Sequence, residues 1–297
     1  MKTYKILPLL IGLFIASCSN KNDEYDASGT FEATETIVSA EASGKLMQFN
    51  VDEGDTLSAG KAIGYVDSTQ LHFTKLQLLQ NQKAILAGRP DVKSQIDATQ
   101  KQIDNTLVDK QRVENLVKGN VATQKQLDDV NSKLAVLQAQ LAAQKSSLNT
   151  QTSTLNDQSS AVAVQLSQVE DQLKKCVITN PVSGIVLTTY ANPNEVTTMG
   201  KPLYKIADLS SVLLKAYVTG DQMTKVKIGN KAKVLVDDGK DKYREFEGNI
   251  EWINSKSEFT PKTIQTKDER ANLVYAVKIR VKNDGFIKLG MYGEVKF

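Results

Sequence analysis

One stretch of this chain recurs 140 residues downstream without a gap, and that recurrence limits the possible folds more than any other feature. Residues 42–67, ASGKLMQFNVDEGDTLSAGKAIGYVD, align with residues 182–207, VSGIVLTTYANPNEVTTMGKPLYKIA. Ser43 and Gly44 match Ser183 and Gly184, and Gly60 and Lys61 match Gly200 and Lys201. Leu46, Ile63 and Val66 keep their apolar character in Val186, Leu203 and Ile206. Each copy has short β-type runs separated by turn residues, such as Asp52 to Asp55 and Asn192 to Glu195. A unit this short cannot bury a core alone, so the two copies are expected to pack on each other. The four repeated glycines, Gly44, Gly60, Gly184 and Gly200, are expected at the turns of that shared unit.

The residues between the copies belong to a different structural class. From Ser68 to Lys175 there is no Trp or Tyr, and Gln, Lys, Leu, Ala and Asp dominate. Leu127, Leu134, Leu141, Leu148, Leu155, Val162, Val169 and Cys176 recur every seventh residue, the period of a left-handed coiled coil. The companion seam is read as Val130 and Leu137, then Gln144, Gln151, Gln158 and Gln165. On the first arm, Val92, Ile96, Ile103, Val113 and Val117 form a facing seam that admits Thr99, Thr106 and Lys110. Gly88 and Pro90 predict a break there. The arms match in length only if the first passes straight through that break, so the reversal is placed near residues 119–122. Gly119 is expected as a left-handed cap of the first arm, and Thr123 with Gln126 as a capping box starting the second. Leu116 and Leu127 are expected to close the end of the seam.

At the N-terminus, Lys2 and Lys5 precede an apolar run from Ile6 to Ala16, the layout of an export signal and too short to cross a bilayer. Ile15-Ala16-Ser17-Cys18 resembles the lipobox of bacterial lipoproteins, which implies cleavage before Cys18 and its acylation. Residues 1–17 are thus assigned to a signal peptide and 18–29 to a tether. The full chain carries 37 Lys and Arg against 34 Asp and Glu, and removing residues 1–17 takes away two lysines, leaving 35 against 34. That balance argues against nucleic acid as a partner. Two cysteines and one histidine exclude zinc clusters and histidine-based triads. No cofactor and no enzymatic activity are expected.

After Ala207 the texture changes to short alternating segments, VLLKAYV, KAKVLV, EFEGNIEWI, LVYAVKIRV and YGEVKF, punctuated by turn signals such as Gly229-Asn230 and Asp238-Gly239. Strands at this spacing predict a small closed barrel over residues 209–297, completed by an N-terminal strand at 30–41. Trp252 is expected to pack in its core or between strands. Lys267, Asp268, Glu269 and Arg270 are read as a solvated loop.

Taken together, SGKL, VDEGDTLSAGKAI and the downstream PVSGIV with NEVTTMGKPLYKI resemble the split lipoyl or biotinyl domain of the HlyD family of periplasmic adaptors, also called membrane fusion proteins. The resemblance implies a mixed α and β fold. It comprises a lipoyl-like β domain in two halves (42–67 and 176–208), an inserted antiparallel helical hairpin (68–175) and a C-terminal β-barrel. No Met-Lys-Met attachment hairpin is present, so a biotin or lipoate carrier is not expected. The spacing of Arg112, Leu116 and Thr123 resembles the family's channel-docking tip, with Thr in place of the usual Ser. Arg112, Leu116, Gly119, Asn120 and Thr123 are accordingly the candidate docking residues. By resemblance, the partners are an inner-membrane transporter, ABC-type ahead of proton-driven, and an outer-membrane channel of the TolC family. Self-association into a ring of six is implied as well, with the membrane held through the lipid on Cys18. The alternatives are an envelope spacer lipoprotein and an accessory of a two-part exporter.

Overall fold

The structure, a computed structural model, describes residues 25–239, 242–259 and 273–297. The signal peptide, Cys18, the first part of the tether and the charged residues 267–270 lie outside the described residues. In chain order the elements are β1 (Ala27–Glu32), β2 (Glu35–Ser39), β3 (Gly44–Phe49), β4 (Thr56–Leu57), β5 (Ala62–Val66), α1 (Thr69–Ala87), α2 (Val92–Lys118) and α3 (Gln124–Lys175). There follow β6 (Val177–Thr179), β7 (Gly184–Thr189), β8 (Val196–Thr197), β9 (Pro202–Ala207), β10 (Ser211–Thr219), β11 (Lys231–Asp237), β12 (Tyr243–Ile253), β13 (Glu258–Phe259), β14 (Leu273–Lys282) and β15 (Tyr292–Lys296).

The two sequence copies fold as images of each other and interlock. β3 and β4 recur as β7 and β8, and each copy donates its two-residue strand to the other: β4 pairs with β7, and β8 with β3. Hydrogen bonds follow the same exchange. Ser43 Oγ accepts from Met199 N–H and Ser183 Oγ from Ala59 N–H, both at 3.0 Å. Gly54 N–H reaches the Val186 carbonyl at 2.9 Å, and Asn194 N–H the Leu46 carbonyl at 2.7 Å. The shared core includes the fully buried Leu46, Val66, Val186, Leu203, Tyr204 and Ile206. At the repeated glycines the expectation divides. Gly60 and Gly200 make left-handed turns, at φ 79° and 84°. Gly44 and Gly184 instead open strands, where a Cβ would come within 2.8 Å of the Val66 side chain and 2.4 Å of the Ala207 carbonyl. Close strand approach excludes a side chain at Gly184, while at Gly44 a φ of 155° also disfavours one.

Six strands close a barrel in the order β10-β1-β15-β11-β12-β14, with β14 returning to β10 and β13 appended to β14. Its interior is filled by alternate residues such as Val212, Leu214, Ala216 and Val218 of β10, each fully buried. The N-terminal segment does not serve the barrel alone. Residues 27–32 form a barrel strand, whereas 35–39 pair with β9 in the lipoyl-like domain, so the single strand read at 30–41 is two strands in two domains. Part of the expected tether, 27–29, is already barrel strand. Trp252 is 41% exposed beside Lys278, whose Nζ lies 5.6 Å from the ring centroid, and is not a core residue. A register shift between Ile250 and Trp252 turns its side chain outward.

Between the two lipoyl halves, α1 and α2 together run antiparallel to α3. Lys75 pairs with Glu170 at 2.8 Å, Gln82 Nε2 donates to the Ser159 carbonyl at 3.4 Å, and Thr99 bonds Gln144 at 2.9 Å, one continuous antiparallel register across the break. Residues 88–91 interrupt the arm without reversing it, and Asp91 caps α2 by accepting from Ser94 N–H. α3 has 52 residues, a length of about 78 Å at 1.5 Å per residue. Leu134, Leu141, Leu148, Val162, Val169 and Cys176 of the heptad series are buried, with Leu127 and Leu155 half-buried. The companion seam departs from the expected one. Val130, Leu137 and Gln144 are half-buried, but beyond them Gln151, Gln158 and Gln165 face solvent, and Thr152, Ser159, Leu166 and Leu173 take the inner positions. The seam moves by one residue where α3 changes partner from α2 to α1, across the interruption at residues 88–91.

Candidate docking surface at the hairpin tip

The far end of the hairpin is built by two caps back to back. At the end of α2, Val121 N–H donates to the Leu116 carbonyl at 2.9 Å and Asn120 N–H to the Val117 carbonyl at 3.0 Å, the paired bonds of a Schellman motif. The left-handed residue of that motif is Asn120, at φ 57°, while Gly119 has φ −83°. The expectation that Gly119 supplies the left-handed cap is therefore corrected. Asparagine tolerates this conformation better than most residues because its short polar side chain bonds locally. At the start of α3, Thr123 Oγ1 accepts from Gln126 N–H at 3.4 Å and Gln126 Oε1 accepts from Thr123 N–H at 2.9 Å, a complete capping box. Only two residues, Val121 and Ala122, lie between the caps, so the backbone of the turn is fixed at both ends.

That rigid frame holds its side chains outward. Arg112 is 68% exposed, and among the described residues its guanidinium pairs with Asp109 alone, at 3.1 Å on the same helix. An exposed pair of this kind contributes little to stability and leaves most of the five guanidinium donors free. Leu116, four residues on and hence on the same face, is 40% exposed. It does not close the seam as expected: Val113 and Val117 do so from α2, with Leu127 half-buried opposite. Val121 at the apex is 76% exposed. Asn120 and Thr123 are exposed as well. The structure thus brings Arg112 and Leu116 onto one helix face and Gly119, Asn120 and Thr123 into the adjoining turn. Sequence reading passed over Val121; its signal was an apolar residue at the centre of a two-residue turn, where burial is geometrically excluded.

Chemically, the tip offers a multi-donor cation, two apolar side chains and a polar turn. It carries no nucleophile paired with a base, and the described residues hold no group of three or more His, Cys, Asp or Glu placed to bind a metal ion. Such a surface is chemically suited to contact with carbonyl-rich, partly apolar protein surfaces. No helix among the described residues is long and apolar enough to cross a membrane.

No protein-family profile matches the chain. Among proteins of known sequence, it is 26% identical over 323 aligned positions to the UPF0194 membrane protein YbhG of Salmonella gallinarum, spanning 98% of this chain and 97% of the relative. Among solved structures, it resembles MacA from Actinobacillus actinomycetemcomitans with a TM-score of 0.54 at 21% identity, covering 91% of this chain and 76% of that one. It resembles the membrane fusion protein Spr0693 from Streptococcus pneumoniae R6 equally, with a TM-score of 0.54 at 18% identity and coverage of 91% and 97%.

Proposed function

We propose that this chain, which has the fold of the membrane fusion proteins, is a lipid-anchored periplasmic adaptor of a tripartite efflux or secretion system. In this reading acyl groups on Cys18 hold it at the inner membrane, where the barrel meets an ABC-type transporter. The lipoyl-like domains assemble side by side into a ring of six, and the hairpin carries its tip to an outer-membrane channel of the TolC family. The protein itself catalyses nothing; the transporter supplies the energy.

The observation that carries the reading is the union of a rigid arm of about 78 Å with an outward-facing tip. A hairpin needing only to end would bury Leu116 and place a small polar residue at position 121. This one instead exposes Arg112, Leu116 and Val121 on a doubly capped turn. Exposed apolar side chains on a fixed frame lose little entropy on binding, which favours a docking role over a spacer role.

Site-specific photo-crosslinking from Asn120 in intact cells tests this directly. Capture of an outer-membrane channel is expected. Capture of sister copies alone would overturn the docking role and leave a two-part exporter accessory. In parallel, Arg112→Asp is expected to abolish export while changing stability by no more than about 0.5 kcal/mol, because exposed substitutions away from caps and cores rarely do more. A matching drop in the melting temperature would make the tip structural.

A further inference from the structure

The barrel has two ends, and topology distinguishes them. Both crossings to the lipoyl-like domain, residues 33–34 and 208–210, leave from one end. The opposite end gathers the start of β1, the finish of β10 and β15, and the loop that leads into β11. Asp26 is fixed there: its N–H donates to the Val295 carbonyl at 2.7 Å, its carboxylate accepts from Phe297 N–H at 2.9 Å, and it pairs with Lys225 at 3.6 Å.

In the loop, Lys227 to Asn230 form a four-residue turn closed by Asn230 N–H donating to the Lys227 carbonyl at 3.1 Å, with Gly229 at φ 89°. The turn is seated firmly. Val226 is buried, Gly229 N–H donates to the Ile250 carbonyl at 2.8 Å, and Ile250 N–H donates to the Asn230 carbonyl at 3.0 Å. At its first corner Ile228 stands 65% exposed, among Lys225, Lys227 and Lys231. Asp26 and Glu247 pair with Lys225 and Lys231, and Lys227 has no acidic partner among the described residues. An isoleucine held out in water by a seated turn contributes nothing to the fold.

An apolar apex among ammonium groups matches the boundary of an anionic bilayer, where the side chain enters the acyl region and the lysines meet phosphates. Tyr25, exposed at the same barrel end, is of the residue type enriched at that depth. Seven residues of chain link Cys18 to Tyr25, a span of at most about 25 Å, so an anchor on Cys18 keeps this end close to the surface. We propose that the turn of residues 227–230 is a second membrane contact, with Ile228 inserted into an anionic phospholipid surface and Lys225, Lys227 and Lys231 on its headgroups. The proposal rests on the Cys18 anchor put forward above. An acyl tether by itself is a swivel; a second contact stands the barrel on its end and fixes the orientation of the domains beyond it.

The test uses the full acylated protein in phosphatidylcholine vesicles with and without phosphatidylglycerol, bearing an environment-sensitive dye on Ile228→Cys. Cys176 is buried, so labelling is confined to the new thiol. In the anionic vesicles the dye is expected to shift to the blue and to become several-fold less accessible to aqueous iodide. Both effects should disappear in phosphatidylcholine alone and on adding Lys227→Glu. A dye on the exposed Met47→Cys of the lipoyl-like domain should stay in water throughout. Flotation with the vesicles reads the anchor alone, so protein that fails to float overturns the anchor. Protein that floats with a water-exposed dye at position 228 overturns the second contact. Shielding that requires the transporter in the membrane also overturns it, since the turn would then be a protein contact.

Discussion

Tyr204 is fully buried, and its hydroxyl donates to Asn180 Oδ1 at 2.9 Å, while Asn180 Nδ2 donates to the Ser58 and Val182 carbonyls at 3.0 and 2.7 Å. Burial pushes the phenol up to about 12. The folded state therefore keeps a proton that the unfolded state has lost between pH 10 and 12, and stability falls across that window. Tyr204→Phe should leave the Asn180 acceptor unpaired and cost about 1–3 kcal/mol near neutrality. It should also flatten the alkaline decline, as read by urea midpoints of both proteins from pH 9 to 12. At the tip, Asn120→Val forces a branched side chain into the left-handed region and should cost about 1–3 kcal/mol. Gly119→Ala should be neutral or gain up to about 1 kcal/mol, since its Cβ would meet nothing closer than 3.6 Å. Paired thermal melts of the two variants decide which residue holds the cap. Sequence alone pointed to Gly119 because glycine dominates such caps; the offset of one residue is set by where the helix hydrogen bonds stop, which no composition rule fixes. The Tyr204 network was equally hidden, since its repeat mates are Gly64 and Ala40 and symmetry predicts nothing of it.

The hairpin arms were the most legible elements. A seven-residue recurrence that never misses leaves one geometry for α3, and equal arm lengths forced the break to be straight. The companion seam was not legible, because its identity depends on the facing helix, and α1 and α2 present different faces. Leu141→Ala should accordingly cost about 2–5 kcal/mol of hairpin stability, as for other buried leucines. Gln158→Ala, which the heptad count alone would place in the seam, should stay within about 0.5 kcal/mol. Chemical denaturation followed by helical circular dichroism separates the two; comparable losses would return Gln158 to the interior.

For the whole molecule, the 140-residue offset made the lipoyl-like domain readable because a repeated unit too small to fold must find its twin. The barrel was legible as a class, but the division of the N-terminal segment between two domains was not, since alternation does not say which sheet a strand joins. Matched removal of one heptad from each arm, residues 99–105 and 138–144, should preserve the fold and shorten the hairpin by about 10 Å. If reach matters, export falls while circular dichroism changes only in proportion to length; full export at the shorter length would separate function from span. The strand pairings also set the order in which the chain can fold. Ser28 lies opposite Tyr217, Ala27 opposite Val295, and Glu35 opposite Ala207, so the first described strands find their partners only on the far side of the helical hairpin. Contacts of such separation are slow to form. On the ribosome or at a translocase, the hairpin and the lipoyl-like domain, complete by Ala207, therefore form ahead of the barrel, which closes only once β15 has emerged.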